Sequence, residues 1–339
     1  MSKVKDTNMK NWLSLPCSLQ QLRLDITLVC GQSFRWKEVQ KGEWRSVLRD
    51  KVWTLRQTEN SIEYIIHDDD SEPLRTESEN QQILRDYFQL DVDLVKIYNQ
   101  WVTDDPNFRA KSEHFPGVRI LRQDPIENLF SFICSSNNHI NRIGSMVDKL
   151  CVNYGEFVAV VDGVDYYNFP RVDKLAGDRV EDDLRRLGFG YRAKYIGESA
   201  RFIVKNGGAE KWLFALRDAS YEDAHSRLTE LCGVGAKVAD CVCLMSLDKP
   251  GAIPVDTHVW KIACRDYRIK SLQTAKSLTQ TIYKDIGEFF RKLWGEYAGW
   301  AQSVLFSAEL RRFQELKKSS TTEKRKTNES TKIKRKRKK

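Results

Sequence analysis

Lys237 and Asp256 are two residues of this chain whose types and positions could do chemistry, one as an amine nucleophile and the other as a carboxylate that stabilises positive charge. Lys237 lies two residues after Gly235, in the predicted first turn of a helix. The positive end of a helix favours a neutral, nucleophilic amine, although a solvated lysine is the ordinary interpretation of this position taken alone. Asp256 precedes the helical run that starts at Val259, so we expect it to cap that helix. A carboxylate there can also stabilise positive charge that develops on a sugar.

A glycine-rich interruption precedes the lysine. Gly233 and Gly235 separate two apolar helical faces between Arg227 and Leu244, which predicts two helices joined by a tight turn. Glycines at such a turn let the amides of the second helix approach a phosphate without reading the base sequence. They would equally serve a turn inside a helical core. A DNA-backbone clamp and a packing turn both stay open on this observation.

The elements that must position these residues fall into two regions. Short β-prone runs at 44–48, 51–56 and 62–66 predict an antiparallel meander, whereas the spacing after about Gln81 is helical with few further strand-like alternations. Asp124 followed by Pro125 predicts a helix start. The expected fold is α+β, with a twisted antiparallel β lobe over residues 1–94. A mainly helical region follows over 95–313, with the helix-hairpin-helix motif near 226–245.

Charge is concentrated at the end of the chain. The 339 residues carry 56 Lys or Arg and 47 Asp or Glu, yet 12 Lys or Arg and only two Glu lie between Lys317 and Lys339. The remainder is close to neutral. We expect a disordered basic tail over 314–339 because its few apolar residues cannot offset the entropy of ordering. The run at 332–339 predicts nuclear import, an auxiliary DNA-binding role, or both.

Membrane, metal and cofactor roles are not indicated. No apolar run approaches the roughly 20 residues that a bilayer span needs, and no signal peptide or transit pattern opens the chain. The eight cysteines are scattered through apolar segments, which is typical of buried free thiols. Cys241 and Cys243 alone make a poor metal site. We therefore expect no metal, no cofactor, no membrane partner and a monomer.

Five segments in order give the chain a resemblance to a known family over roughly residues 12–312. The hairpin ending in Gly-Val-Gly-x-Lys, with an Asp nineteen residues later, resembles the helix-hairpin-helix base-excision glycosylases. The whole set is similar to the eukaryotic 8-oxoguanine DNA glycosylase/AP lyases. The five segments are Cys30-Gly-Gln-Ser-Phe-Arg-Trp36, Phe132-Ile-Cys-Ser-Ser-Asn-Asn138, Leu187-Gly-Phe-Gly-Tyr-Arg-Ala193, Pro254-Val-Asp256 and Gly299-Trp-Ala-Gln-Ser-Val-Leu-Phe306.

The resemblance implies a bifunctional enzyme that acts on oxidised guanine in double-stranded DNA. Lys237 would attack C1′, expel the base and form a Schiff base from which β-elimination nicks the strand. Asp256 would stabilise the developing positive charge. Lys249, in Asp-Lys-Pro, is a different lysine that we interpret as a turn residue.

The resemblance also implies a pocket for the flipped base. The Gly31 carbonyl would accept a hydrogen bond from N7–H of 8-oxoguanine, a donor that guanine lacks. Gln302 would bind the Watson–Crick edge, and Phe306 would stack on the base. Cys241 would support Lys237 as a thiolate partner, although an inert buried thiol is its ordinary role. The local pattern alone favours core positions for several of these residues.

A second implied set contacts the DNA around the lesion. Asn137, Arg142 and Arg192 would fill the gap and bind the cytosine left behind, since the arginine fork suits its acceptors. Tyr191 would act as the wedge, and His258 would contact a phosphate. Gly233 and Gly235 would hold the backbone.

The chain departs from the family pattern at three positions. Cys232 replaces a usual Pro, Glu309 replaces an Asp near the histidine, and His139 replaces a common Asn. We weigh two alternative functions: a monofunctional glycosylase that uses an activated water, and a DNA-binding protein without activity. The lysine argues against the first alternative, and the retained Lys237 and Asp256 argue against the second. Only Cys264 follows Asp256, which excludes the iron–sulfur branch.

Overall fold

In the computed structural model, which describes residues 12–67, 75–269, 272 and 277–313, the N-terminal lobe is built on a five-stranded antiparallel sheet. The strands are β1 (Leu13–Pro16), β2 (Lys37–Gln40), β3 (Glu43–Leu48), β4 (Lys51–Gln57) and β5 (Ser61–His67). Their order in the sheet is β1-β5-β4-β3-β2. The three predicted runs are confirmed as β3 to β5, whereas the short edge strands β1 and β2 were not predicted.

Helices dominate the rest of the described chain. The first ones are α1 (Leu24–Thr27), α2 (Glu77–Tyr87), α3 (Leu94–Asp104), α4 (Pro106–Ser112), α5 (Pro125–Ile133), α6 (Ile140–Tyr154) and α7 (Val172–Leu175). The later ones are α8 (Val180–Arg186), α9 (Arg192–Lys205), α10 (Tyr221–Leu228), α11 (Ala236–Ser246), α12 (Thr257–Arg265), α13 (Gln280–Trp294) and α14 (Ala298–Glu309). This arrangement is the predicted α+β fold. The predicted boundary after residue 94 stays a prediction, and α2 already lies before it.

A β-hairpin interrupts the region that the sequence predicts to be helical. It consists of β6 (Phe157–Val161) and β7 (Val164–Tyr167). Val161 packs against Val47 and Val52 of the sheet, and Asp162 in its turn accepts a 2.8 Å hydrogen bond from buried Arg45. Phe157, Val160 and Val164 are exposed, whereas Val158, Ala159 and Tyr166 also pack against this cluster. The available sequence signal, which the sequence analysis did not use, was Asp162-Gly163 between two β-prone runs, and both residues have the positive φ of a two-residue hairpin turn.

Helix α5 is the central buried support for the lysine-bearing helix. Asp124 caps it, since its Oδ1 accepts hydrogen bonds from the amides of Ile126 at 2.8 Å and Glu127 at 3.0 Å. The predicted helix start is thereby confirmed. Residues 128–133 are all buried, and α5 packs directly against α11. The C-terminal end of α5 therefore lies beside the first turn of α11.

The predicted disordered tail over 314–339 lies outside the described residues. Among the helices of the described part of the chain, none has the length and apolar character that crossing a bilayer requires.

Candidate active site

The glycine turn between α10 and α11 has the geometry of a helical hairpin. Gly233 has φ +79°, and a Cβ added there would lie 2.4 Å from the ring of Tyr195, so only glycine fits. Gly235 is different, because its φ is −94° and an added Cβ would meet open space. The amides that begin α11 are thus presented at an uncovered surface.

Lys237 lies in the first turn of α11 with a half-buried side chain. Its Nζ donates a 3.3 Å hydrogen bond to Ser135 Oγ and lies 4.9 Å from the centre of the Phe132 ring. These two contacts place the amine beside the C-terminal end of α5.

Asp256 caps α12, as predicted. Its Oδ1 accepts hydrogen bonds from the amides of His258 at 2.8 Å and Val259 at 2.9 Å. Both bonds use the same oxygen, so the cap does not depend on Oδ2. One carboxylate can therefore hold the helix and still present negative charge to a neighbouring ligand.

The structure brings the predicted catalytic and base-binding residues to one pocket. Its volume is about 60 Å³. Phe306 meets the exposed His258 ring edge to face, with 5.9 Å between centres. The lining residues are Cys30, Gly31, Gln32, Phe132, Lys237, Cys241, Met245, Pro254, Asp256, Gln302, Ser303 and Phe306.

Cys241 lines the same pocket and is buried. Burial raises the pKa of its thiol to about 11, which favours the neutral thiol, whereas the charge of Lys237 and a hydrogen bond with it favour the thiolate. The role of Cys241 as a thiolate partner of Lys237 stays a prediction.

Gln32, which the sequence analysis did not single out, holds the Gly31 backbone in place. Gly31 has φ +91°, and the fully buried Gln32 side chain donates to the Arg119 carbonyl at 2.7 Å. It also accepts from the Leu121 amide at 3.0 Å, while Gln123 donates to the Gln32 carbonyl at 3.0 Å. The carbonyl of Gly31 is therefore carried by a rigid backbone. The contacts of Gln32 with Arg119 and Leu121 lie far along the chain, so the local sequence contains no signal for this role.

A second group of predicted residues gathers around the loop after α5. Arg192 is buried, and its guanidinium donates to the carbonyls of Ser136 at 3.1 Å and Asn137 at 3.1 Å. The Tyr191 hydroxyl donates to the same Ser136 carbonyl at 3.0 Å. Asn137 has φ +47°, which is an uncommon backbone conformation for that loop to hold. Arg192 thus supports the loop here, and its contact with a cytosine stays a prediction.

The loop and the hairpin share one surface. Tyr191, with 44% of its side chain exposed, lies in an open concavity with Ser136, Gly233 and Gly235. Arg142, in the first turn of α6, is exposed, and the structure gives no contact for its side chain that would test its predicted role. The predicted wedge and the predicted phosphate clamp therefore face the same groove.

Sequence comparisons now identify the family. The profile of the 8-oxoguanine DNA glycosylase N-terminal domain matches residues 14–129, and that of the HhH-GPD superfamily of base excision DNA repair proteins matches residues 130–287. The N-glycosylase/DNA lyase OGG1 of Arabidopsis thaliana is 38% identical over 313 residues, which cover 91% of this chain and 83% of the relative. The chain belongs to the 8-oxoguanine DNA glycosylase family.

Two further relatives agree with this assignment. The N-glycosylase/DNA lyase of Saccharomyces cerevisiae is 40% identical over 331 residues, which cover 87% of this chain and 85% of the relative. The solved 8-oxoguanine glycosylase/lyase of Clostridium acetobutylicum, bound to DNA with cytosine opposite 8-oxoG, superposes with a TM-score of 0.72 at 32% identity. That match covers 85% of this chain and 91% of the solved one. The resemblance and the fold class inferred from the sequence are confirmed.

Two departures from the glycosylase family pattern have local structural roles. Cys232 does not prevent the hairpin, because its carbonyl accepts a 2.9 Å hydrogen bond from Ser199 and Gly233 still turns the chain. His139 caps α6, since its Nδ1 accepts from the Arg142 amide at 3.3 Å. The hairpin and α6 therefore both form with the residues that depart from the family pattern.

Glu309 is the third departure, and it lies in an ion-pair cluster. Arg265 donates to it at 2.8 Å and Lys111 at 3.3 Å, and both cations also contact Asp266. The hydrogen bond from Arg265 lowers the pKa of Glu309 to about 2. The Glu309 carboxylate is thus a negative charge held by Arg265 and Lys111 at the C-terminal end of α14.

The two hairpin glycines make a matched test of the clamp. Gly235→Ala is expected to cost at most about 1 kcal/mol of stability, because its φ is ordinary and the space is open. It should weaken binding to duplex DNA by about tenfold, since the methyl group obstructs a phosphate at the amides. Urea unfolding and duplex affinity measure the two effects.

Gly233→Ala provides the contrast. It is expected to lower the free energy of unfolding by about 1–3 kcal/mol, because of its positive φ and the clash with Tyr195. If Gly235→Ala binds DNA as tightly as the wild type, the hairpin is a packing turn and not a clamp.

Proposed function

We propose that this chain is a bifunctional DNA glycosylase/AP lyase that excises 8-oxoguanine opposite cytosine from duplex DNA. The observation that carries the proposal is the single pocket that holds Lys237, Asp256, Gly31, Gln302 and Phe306. Family membership supports the same activity, because the relatives are N-glycosylase/DNA lyases.

Lys237 is the proposed nucleophile. Its deprotonated amine forms a bond to C1′ while the C1′–N9 bond breaks, and the electron pair leaves with the base. Opening of the sugar ring and loss of an amine proton give the Schiff base. Removal of a proton from C2′ then expels the 3′ phosphate. Asp256 lies in the same pocket and stabilises the positive charge that grows on the sugar as the base departs.

Gly31 is the proposed discriminator between oxidised and normal guanine. Its carbonyl accepts N7–H of 8-oxoguanine, whereas N7 of guanine is an acceptor and leaves that carbonyl unpaired. An unpaired buried carbonyl costs about 1–3 kcal/mol, or roughly a 5- to 150-fold preference. The Gln32 anchor supports this role, because a carbonyl fixed by its neighbours cannot turn away from a wrong base.

The groove around the 136–137 loop is the proposed site for the opposite strand. Tyr191 is placed to unstack the cytosine partner, and Arg192, Asn137 and Arg142 are proposed to bind it after the loop carbonyls release the Arg192 guanidinium. His258 is proposed to contact a phosphate beside the lesion. These assignments predict a preference for cytosine over adenine opposite the lesion.

We also propose nuclear localisation and a monomeric state. The basic run over 332–339 supports nuclear import. Because the preceding chain is close to neutral, this run also supplies most of the non-specific electrostatic attraction to DNA. Imaging the full chain against one that ends at Leu316 tests the import proposal. The mass measured by light scattering tests the monomer.

Borohydride trapping tests the proposed function most directly. The wild-type chain is incubated with duplexes that carry 8-oxoguanine opposite cytosine, 8-oxoguanine opposite adenine, or no lesion. We expect a covalent adduct that is strongest for the cytosine pair and absent for undamaged DNA. Release of free base without an adduct would favour a water-using glycosylase. Binding with neither product would favour a protein that only binds DNA.

A further inference from the structure

Asp240 is a buried carboxylate that the proposed reaction does not use. It lies on α11 three residues after Lys237, about 4.5 Å further along the helix axis. Its Oδ1 accepts a 2.7 Å hydrogen bond from the Tyr221 hydroxyl, and His225 Nε2 lies 4.0 Å from the same oxygen. Tyr283 donates to the other oxygen, Oδ2. The side chain is completely buried, so these contacts determine the protonation of Asp240.

The two tyrosines compensate for the burial of this charge. Burial raises the pKa of Asp240, and the hydrogen bonds from Tyr283 and Tyr221 oppose that rise. A buried carboxylate with two hydroxyl donors holds its donors firmly, because losing either leaves a buried oxygen unsatisfied. Asp240 therefore ties α11 to α10 through one tyrosine and to α13 through the other.

Tyr283 differs from Tyr221 because it also reaches the loop before α12. Its hydroxyl oxygen accepts a 3.3 Å hydrogen bond from the Val255 amide and lies 3.3 Å from the Ile253 carbonyl. Its single proton serves the closer acceptor, Asp240. Val255 immediately precedes Asp256. One hydroxyl thus connects the helix of the lysine to the backbone of the catalytic carboxylate.

We propose that Tyr283 is a positioning residue that sets the placement of Asp256 relative to Lys237. The path runs from Lys237 along α11 to Asp240, through the Tyr283 hydroxyl to the Val255 amide, and on to Asp256. Loss of the hydroxyl frees the Val255 amide and lets the carboxylate shift. This inference rests on the proposed excision reaction, because it assigns a role only within that reaction.

Tyr283→Phe and Tyr221→Phe form a matched pair in the full chain. Each variant removes one hydroxyl that donates to Asp240, so each should lower the melting temperature, and Tyr283→Phe should lower it further because the Val255 amide also loses its partner. We expect the single-turnover excision rate at saturating enzyme to fall about tenfold in Tyr283→Phe, because small displacements of reacting groups are costly. In Tyr221→Phe the rate should stay within about twofold of wild type.

Two further readouts separate positioning from general destabilisation. Affinity for a duplex with an uncleavable abasic-site analogue should be unchanged in both variants, which assigns the loss to the chemical step. Hydrogen exchange at the Val255 and Asp256 amides should accelerate in Tyr283→Phe only.

The outcomes distinguish the inference from the function on which it rests. Equal rate losses in the two variants, or no loss in either, overturn the positioning role while wild-type excision still stands. If the wild type itself excises no 8-oxoguanine, the proposed function fails and the inference fails with it.

Discussion

Lys237→Gln is expected to eliminate the borohydride-trapped adduct and to reduce base excision by roughly 10³-fold or more. The glutamine amide has no nucleophilic lone pair, but it is polar and has a length similar to that of the lysine stem. It therefore leaves a polar side chain of similar shape near Ser135, the residue that Lys237 contacts at the end of α5. Trapping and single-turnover excision on a duplex with 8-oxoguanine opposite cytosine measure the two losses.

Lys249→Gln is the matched control. Lys249 lies twelve residues later, and its Nζ donates a 2.5 Å hydrogen bond to the Arg217 carbonyl, so it stabilises a turn as the sequence analysis interprets it. This variant should still form the adduct. An adduct that survives in Lys237→Gln and disappears in Lys249→Gln would show that the nucleophile has been assigned to the wrong lysine.

Features with strong local chemistry could be predicted from the sequence. The strands β3 to β5, the start of α5 at Asp124, the glycine hairpin and the Asp256 cap each depend on residues within a few positions of one another. These features can be predicted because turn, cap and alternation preferences depend on neighbouring residues and not on tertiary contacts.

Features that depend on distant partners could not be predicted in this way. The edge strands have only four residues each, and β1 pairs with the distant β5. The β6–β7 hairpin is different, because its Asp162-Gly163 turn is a local signal that could have been used. The contacts of Gln32 with Arg119 and Leu121, and of Tyr283 with Asp240, join positions far apart in the chain. Only tertiary packing creates these pairings.

The base-binding residues form an intermediate case. The residues themselves do not indicate that Gly31, Gln302 and Phe306 act together, and the local pattern of each favours a core position. The family resemblance supplied the group, and the structure places all three at one pocket. The protonation of Cys241 cannot be transferred in the same way, because it depends on the burial of the thiol and on the charge of Lys237 beside it.

Asp256→Asn is expected to lower single-turnover excision by about 10²–10³-fold while the free energy of unfolding changes by less than about 0.5 kcal/mol. The two effects separate because the carboxylate caps α12 in this structure and has the separate proposed role of stabilising charge on the sugar. Asn caps a helix as well as Asp does, and the cap here uses one oxygen that the amide can supply to the His258 and Val259 amides. Only the negative charge beside the reacting sugar is lost.

Asp256→Ala completes the comparison, because it removes the charge and the cap together. We expect its excision rate to fall at least as far as that of Asp256→Asn, with an additional loss of about 0.5–2 kcal/mol in unfolding free energy measured in urea. If Asp256→Asn, which keeps the helix cap, remains nearly as active as the wild type and only Asp256→Ala loses activity, the carboxylate is only a structural cap. In that case the charge that stabilises the sugar must come from another residue of the pocket.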